Sequence, residues 1–294
     1  MIFEPLKSGD TVGVCAPASP VGAEQLQHGV AWLEGLGYQV VLGESVGPKD
    51  RFLAGPDADR ARDLERMFAD PNVRAVFTAR GGYGSSRLLN LIDWGIIRDN
   101  PKPFIGFSDT TALQAGIYTQ VGLVSLSGLA LSADTTAGPP PEEIESDITE
   151  ALVHSAFAPV SGLSHDQDVF GILVGGCLSL ITHLIGTPYL PALDGHILLL
   201  EDVGERPYRL DRMLTQLLLS SILENAEAVA VGTFFKCDGD EEDGTVASVI
   251  DSFVDRCPCP VIQGVPYGHG PIRRVLPIGL AATVAAGKMT FVSE

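Results

Sequence analysis

From residue 11 to residue 127 the chain alternates short apolar runs with segments of helical periodicity, and this alternation restricts the fold more than any other feature. "TVGVCAPAS" (11 to 19) reads as a β-branched strand that ends in Pro and Ser, and Gly22 to Leu36 carries apolar residues at helical spacing before stopping at Gly37. "YQVVL", "RAVFTAR", "FIGF" and "GLVSLS" read as further strands, with "DADRARDLERMFAD" an amphipathic helix among them. Strands alternating with helices predict an α/β domain, a parallel sheet covered on both faces.

The texture changes after residue 135. "SADTTAGPPPEEIESD" is rich in Pro, acid and small residues, so residues 136–164 are expected to form a linker containing an acidic helix that ends near Phe157. Residues 1–135 and 165–294 are then the two domains. The second has strand-like "GHILLLED", a long helix over Tyr208 to Leu223, strand-like "AEAVAVGTF" and a helix over Val246 to Phe253. Short strands with turns follow, which predicts a mixed, barrel-like β domain and not a second doubly wound sheet. The run "VFGILVGGCLSLITHLIGTPYL" (169 to 190) is broken by paired glycines, His183 and Thr187, and a buried core helix is expected there in place of a membrane span.

With 19 Lys+Arg against 37 Asp+Glu the formal net charge is −18, which repels phosphate backbones and anionic lipid surfaces; neither nucleic acid nor a membrane is expected as a partner. The N-terminus lacks a basic region followed by a continuous apolar stretch, so no secretory signal is read and a cytoplasmic location is expected. Five cysteines without paired zinc-knuckle spacing are expected as thiols in a reducing compartment, with no metal.

The candidate chemistry centres on "GFSDTTALQ". Ser108 lies where the strand "FIGF" hands over to a helix, a position at which α/β sheets present ligands and at which amide groups and the helix dipole favour negative charge. An N-cap role supported by Asp109 explains this serine in isolation, and Gly106-Phe107-Ser108-Asp109-Thr110 is only a partial match to G-x-S-x-G. "ARGGYGSSRLL" adds a loop with Gly81, Gly82 and Gly84 after a strand, whose amides could face a developing oxyanion. Neither this loop nor "CAPASPVG" has the spacing of a nucleotide-binding loop, so no cofactor is expected. Among six histidines, His269 in "PYGHGP" is the best-placed base, whereas His183 is expected to be a satisfied core residue. Glu201, Asp202 and Glu205 are all candidates for the acid that orients it, and composition does not choose among them.

Taken together, "RGGYGSSRLL", "GFSDTTALQ", "GTP", "ILLLEDVGERPYRLDRMLTQL" and "GVPYGHG" resemble the LD-carboxypeptidase (muramoyltetrapeptide carboxypeptidase) family over nearly the whole chain. The resemblance implies a Rossmann-like N-terminal domain, a barrel-like C-terminal domain and a cytoplasmic homodimer. The implied activity is a serine peptidase that releases terminal D-alanine from a murein tetrapeptide during cell-wall recycling. Carried over by motif, Ser108 is the nucleophile, Glu201 the acid and His269 the base, with the backbone NH groups of Gly82 and Asp109 forming the oxyanion hole. The chain departs from the family in "GGCL", where Cys177 stands at a position often held by Asn. The alternatives are a relative that cleaves aminoacyl-nucleotide antibiotics, as microcin self-immunity proteins do, and a peptide-binding module that has lost catalysis.

Overall fold

The computed structural model describes residues 3–165, 167–239 and 244–292 and divides into two compact units. Unit one is Met1–Phe157 with Val275–Pro277, and unit two is Ala158–Arg274 with Ile278–Glu294.

In the first unit β1 (Thr11–Cys15), α1 (Ala23–Gly35), β2 (Gln39–Leu42), α2 (Asp57–Ala69) and β3 (Val73–Thr78) follow in order. They are succeeded by α3 (Trp94–Asp99), β4 (Phe104–Gly106), α4 (Thr111–Val121), β5 (Ser125–Ser127), α5 (Leu131–Asp134) and α6 (Glu142–His154). The strands lie in the order β2-β1-β3-β4-β5, each pair parallel, and a late strand, Leu276–Ile278, adds to the β5 edge. One face packs Val12, Val14, Phe77 and Ile105 against Trp32 and Leu33 of α1 and Leu131 of α5. The opposite face is covered by α2, whose Leu64 and Phe68 are fully buried. The strand order reverses between β1 and β3, so the loops after these two strands flank the crevice where such sheets place ligands.

The expected linker is in part a piece of this first unit. α6 buries Ile144, Ile148, Ala151 and Leu152, an i, i+4, i+7, i+8 stripe, in the first unit's core. Its acidic composition conceals this amphipathic pattern because the glutamates occupy the outer faces. The division therefore falls after Phe157, and a strand distant in sequence completes the sheet.

The second unit contains β6 (Val160–Ser161), β7 (Val169–Cys177), α7 (Leu178–Leu184), β8 (His196–Val203), α8 (Pro207–Leu219) and β9 (Ala228–Phe235). Next come α9 (Val246–Arg256), β10 (Val261–Gly268), the edge strand β11 (Leu276–Ile278) of the first sheet, β12 (Ala281–Ala285) and β13 (Lys288–Val292). The sheet order is β10-β9-β8-β7-β12-β13-β6, parallel from β10 to β7 and antiparallel from β7 onward. Ser164, just beyond β6, exchanges two backbone hydrogen bonds of 2.8 and 3.0 Å with Gln263 of β10, which brings the two edges together. The sheet is thus nearly closed, as the barrel-like reading expects.

The apolar run from residue 169 is a strand followed by a short helix, and not one buried helix. β7 lies between β8 and β12 and is largely buried, so it reads as a continuous apolar stretch without alternation. His183 is exposed and not part of a core; its Nδ1 contacts the Ser179 carbonyl one turn earlier. Among the described residues no helix is long and apolar enough to cross a membrane.

Lys102 ties together the end of α2, the start of β3 and the approach to β4. Its buried ammonium donates to the carbonyls of Asp70 at 2.8 Å, Val73 at 2.7 Å and Met67 at 3.3 Å. A cation there also complements the C-terminal end of α2. Lys102→Met keeps the stem and removes the donor, so it should destabilise the chain by about 1–3 kcal/mol. A lower urea midpoint than wild type at neutral pH checks this, and an unchanged midpoint contradicts it.

Candidate active site

Ser108 sits at the carboxyl end of β4 with φ of 65°, a conformation that costs a non-glycine residue of order 1 kcal/mol or more. Phe107 before it is extended (φ −161°), and a 3-10 turn over Ser108–Thr110 leads directly into α4. The chain therefore turns sharply between strand and helix and holds a partly exposed serine at the corner. This is the geometry of a nucleophile elbow although the last motif position is Thr. Thr110 is fully buried, and its hydroxyl donates to the Phe107 carbonyl at 3.1 Å across the turn.

The glycine loop is clamped to this elbow. The buried Asp109 carboxylate accepts hydrogen bonds from Ser85 N at 2.8 Å and Gly84 N at 3.2 Å, and the Ser85 hydroxyl donates to the Asp109 carbonyl at 2.5 Å. Gly81 comes so close that a Cβ on it would stand 2.9 Å from both the Ser108 Cβ and the Phe107 carbonyl oxygen. Gly82 takes φ of 109°, and the neighbouring Tyr83 N donates to Ser19 Oγ at 3.1 Å, joining the loops after β1 and β3. A buried guanidinium secures the outer side of the loop: Arg60 donates to the carbonyls of Gly84 at 3.0 Å and Gly55 at 3.2 Å, and to that of Pro17. Sequence reasoning missed Arg60, Ser19 and Thr110. The available signal was an arginine within the apolar stripe of α2, four residues before Leu64.

In the second unit the three candidate acids separate. Register pairs Cys177 of β7 with Glu201 of β8 at the carboxyl ends of two parallel strands. Glu201 is completely buried; its Oε2 accepts from His269 Nδ1 at 2.8 Å and from His269 N at 3.2 Å, while its Oε1 accepts from Cys177 Sγ at 2.8 Å. Asp202 belongs to the opposite face, where it accepts from Ser179 N at the start of α7 at 2.7 Å; burial raises its pKa. Glu205 pairs with Arg209 at 3.4 Å. Of the three, Glu201 is thus the acid that meets His269. Gly268 (φ 129°) makes the approach possible, since a Cβ there would lie 2.8 Å from the Thr233 carbonyl oxygen and 3.0 Å from Glu201 Oε2. His165, His183 and His196 each set a ring nitrogen against a backbone carbonyl instead.

The structure accordingly brings Ser108, Asp109 and the Gly82 loop together in one unit, and Glu201 and His269 together in the other. Cys177, for which sequence reasoning found no role, touches the buried acid. An imidazole held through Nδ1 by a carboxylate is fixed in the tautomer that presents Nε2 as an acceptor, the arrangement of a general base.

Each unit thus carries groups of the kind that hydrolases use, and comparison with known proteins places the chain in a family. Residues 12–128 match the LD-carboxypeptidase N-terminal domain and residues 170–284 the LD-carboxypeptidase C-terminal domain. The chain belongs to the LD-carboxypeptidase family. It is 35% identical over 296 residues to a probable murein peptide carboxypeptidase of Bacillus subtilis, covering 98% of this chain and 93% of that one. The solved muramoyltetrapeptide carboxypeptidase of Oxalobacter formigenes superposes with a TM-score of 0.84 at 31% identity, over 96% and 97% of the two chains. The Escherichia coli microcin C7 self-immunity protein is 26% identical over 97% of this chain and 93% of its own. A solved microcin C7 self-immunity structure shares the fold with a TM-score of 0.91 at 23% identity, over 100% and 99% of the two chains.

One charged cluster behind the glycine loop gives a pH dependence. Arg87 binds both oxygens of Asp57 at 2.9 and 3.0 Å; this hydrogen bonding, with a smaller contribution from Arg60, holds the Asp57 carboxyl below its usual 3.8. A depressed carboxylate stabilises the fold above its unfolded pKa, and that stability is lost as pH falls through the folded value. Asp57→Asn should therefore melt lower at pH 7 and lose less on acidification below pH 4. Melting curves from pH 7 to pH 2.5 check this; parallel profiles for the two proteins contradict it.

Proposed function

We propose that this chain is a serine LD-carboxypeptidase that releases the terminal D-alanine of a murein tetrapeptide in cell-wall recycling. The observation that carries the reading is the 2.8 Å contact of His269 Nδ1 with the buried Glu201 carboxylate, in a chain that also holds Ser108 in a strained strand-to-helix turn. In the proposed mechanism His269 Nε2 takes the Ser108 proton as Oγ attacks the carbonyl of the L,D bond, and Glu201 stabilises the resulting imidazolium. The backbone NH groups of Gly82 and Asp109 receive the oxyanion. His269 then protonates the departing amine of D-alanine and activates the water that hydrolyses the acyl-enzyme. No step uses a metal or cofactor. Resemblance to the tetrapeptide carboxypeptidases supports this substrate; a cytoplasmic homodimer is part of the proposal and rests on the motif resemblance alone.

The structural likeness to a microcin C7 self-immunity protein favours one second reading, hydrolysis of an aminoacyl-nucleotide. A substrate panel separates the two. D-alanine release from L-Ala-D-Glu-meso-diaminopimelate-D-Ala, with little turnover of an aminoacyl sulfamoyl nucleoside, supports the carboxypeptidase; the reverse preference overturns it.

Ser108→Ala, His269→Ala and Glu201→Gln should each lower kcat on the tetrapeptide by about 10⁴-fold or more, and any two combined should cost little beyond one, because the three act as a unit. D-alanine release by the single and double variants tests this. Comparable rates in wild type and Ser108→Ala would remove the serine from the mechanism, and additive losses would dissolve the triad.

A further inference from the structure

The geometry points to a thiophilic divalent cation site on Cys177, Glu201 and His269, at which zinc inhibits the chain. One ligand atom from each residue, a sulfur, a carboxylate oxygen and a ring nitrogen, lie within 4.8 Å of one another. The carboxylate is completely buried, the thiol is 3% exposed and the imidazole side chain 19% exposed, so of the three donors the imidazole is the one most open to solvent. Zinc takes such mixed sulfur, nitrogen and oxygen sets at about 2.3, 2.0 and 2.1 Å, which puts neighbouring ligand atoms about 3.4–3.6 Å apart. The present 2.8 Å contacts of Glu201 with Cys177 Sγ and with His269 Nδ1 would have to open by less than about 1 Å. Three protein ligands leave a fourth position for water.

The donor set belongs to this chain through Cys177. A thiolate adds a soft, strongly zinc-binding atom to a Glu–His pair that on its own offers only two ligands. On binding, the Cys177 thiol gives up its proton to solvent, the single ring proton of neutral His269 shifts from Nδ1 to Nε2 by exchange with solvent, and the metal occupies both hydrogen-bonding positions. A neutral imidazole ligated through Nδ1 thus carries its one proton on Nε2. That tautomer cannot accept a proton from a serine. The ion thus acts as an inhibitor and not as a cofactor, a consequence that rests on the catalytic reading given above, whereas the site itself does not.

Cys257 and Cys259, whose sulfurs are 3.7 Å apart in the loop before β10, form a second thiol cluster that could also take a soft ion. The experiment separates the two. Cobalt(II), added to the metal-free chain as a spectroscopic stand-in, should give a thiolate-to-cobalt charge-transfer band and tetrahedral d–d bands that Cys177→Ala and Cys177→Ser lose and Cys257→Ser/Cys259→Ser keeps. A band that survives in both Cys177 variants arises from the other pair and overturns the site, as does the absence of any band. In a D-alanine release assay, zinc should inhibit wild type at a concentration at least about 10-fold below that needed for Cys177→Ser, each compared with its own metal-free rate. Equal sensitivity overturns the inhibitory role. Should the chain release no D-alanine, the catalytic reading fails, and the cobalt spectra still decide whether the site exists.

Discussion

The second unit is organised around one buried carboxylate. A carboxyl group with no solvent access is sustained only where its oxygens are satisfied, and Glu201 meets that condition through a thiol, an imidazole and a backbone amide drawn from two other strand ends. Each donor in turn constrains the backbone that carries it. Cys177 must pair in register with Glu201 on β7 and β8, and His269 must follow a glycine able to hold φ of 129° beside the Thr233 carbonyl. Shifting any of these strands by one residue would reverse its side chains and strand the acid.

A comparable dependence governs the first unit, with backbone strain in place of a buried polar group. Ser108 adopts a left-handed conformation because Asp109 on one side and the Phe107–Thr110 turn on the other are both fixed. Asp109 does this by accepting two amides of the glycine loop, so the same contact that holds the serine at the corner also positions the loop proposed to receive an oxyanion. Arg60 and Asp57 extend this support to the loops after β1 and β2. The strain at one residue is thus offset by hydrogen bonds distributed over four segments of chain.

Much of the architecture was readable because local patterns matched the final environment. The parallel sheet announced itself as apolar runs separated by amphipathic helices, and "GFSD", "LLLED" and "YGHG" fall at strand ends, as their flanking residues suggested. The misreadings have physical causes. In α6 the acids mask an apolar stripe that only the three-dimensional face reveals, and so a packed helix resembled a linker. In β7 burial on both sides erased the alternation that distinguishes a strand from a helix. Nothing local to Leu276–Ile278 tells that it joins a sheet whose other strands end at residue 127, because that pairing is a tertiary choice.

The choice between Glu201 and Asp202 shows where sequence logic could have gone further. Consecutive residues of a strand point to opposite faces, so two adjacent acids cannot serve the same partner. One must face the side of the sheet that carries Cys177 and His269, and the other must find donors elsewhere. Asp202 finds them at Ser179 N, where the amino end of α7 offers an unsatisfied amide, and at Val203 N. The pair is therefore not redundant: one carboxylate orders the imidazole, while its neighbour anchors the helix that follows Cys177. Because α7 begins immediately after that cysteine, Asp202 helps to fix the thiol whose sulfur Glu201 requires, and the two acids act on one site from opposite faces of the same strand.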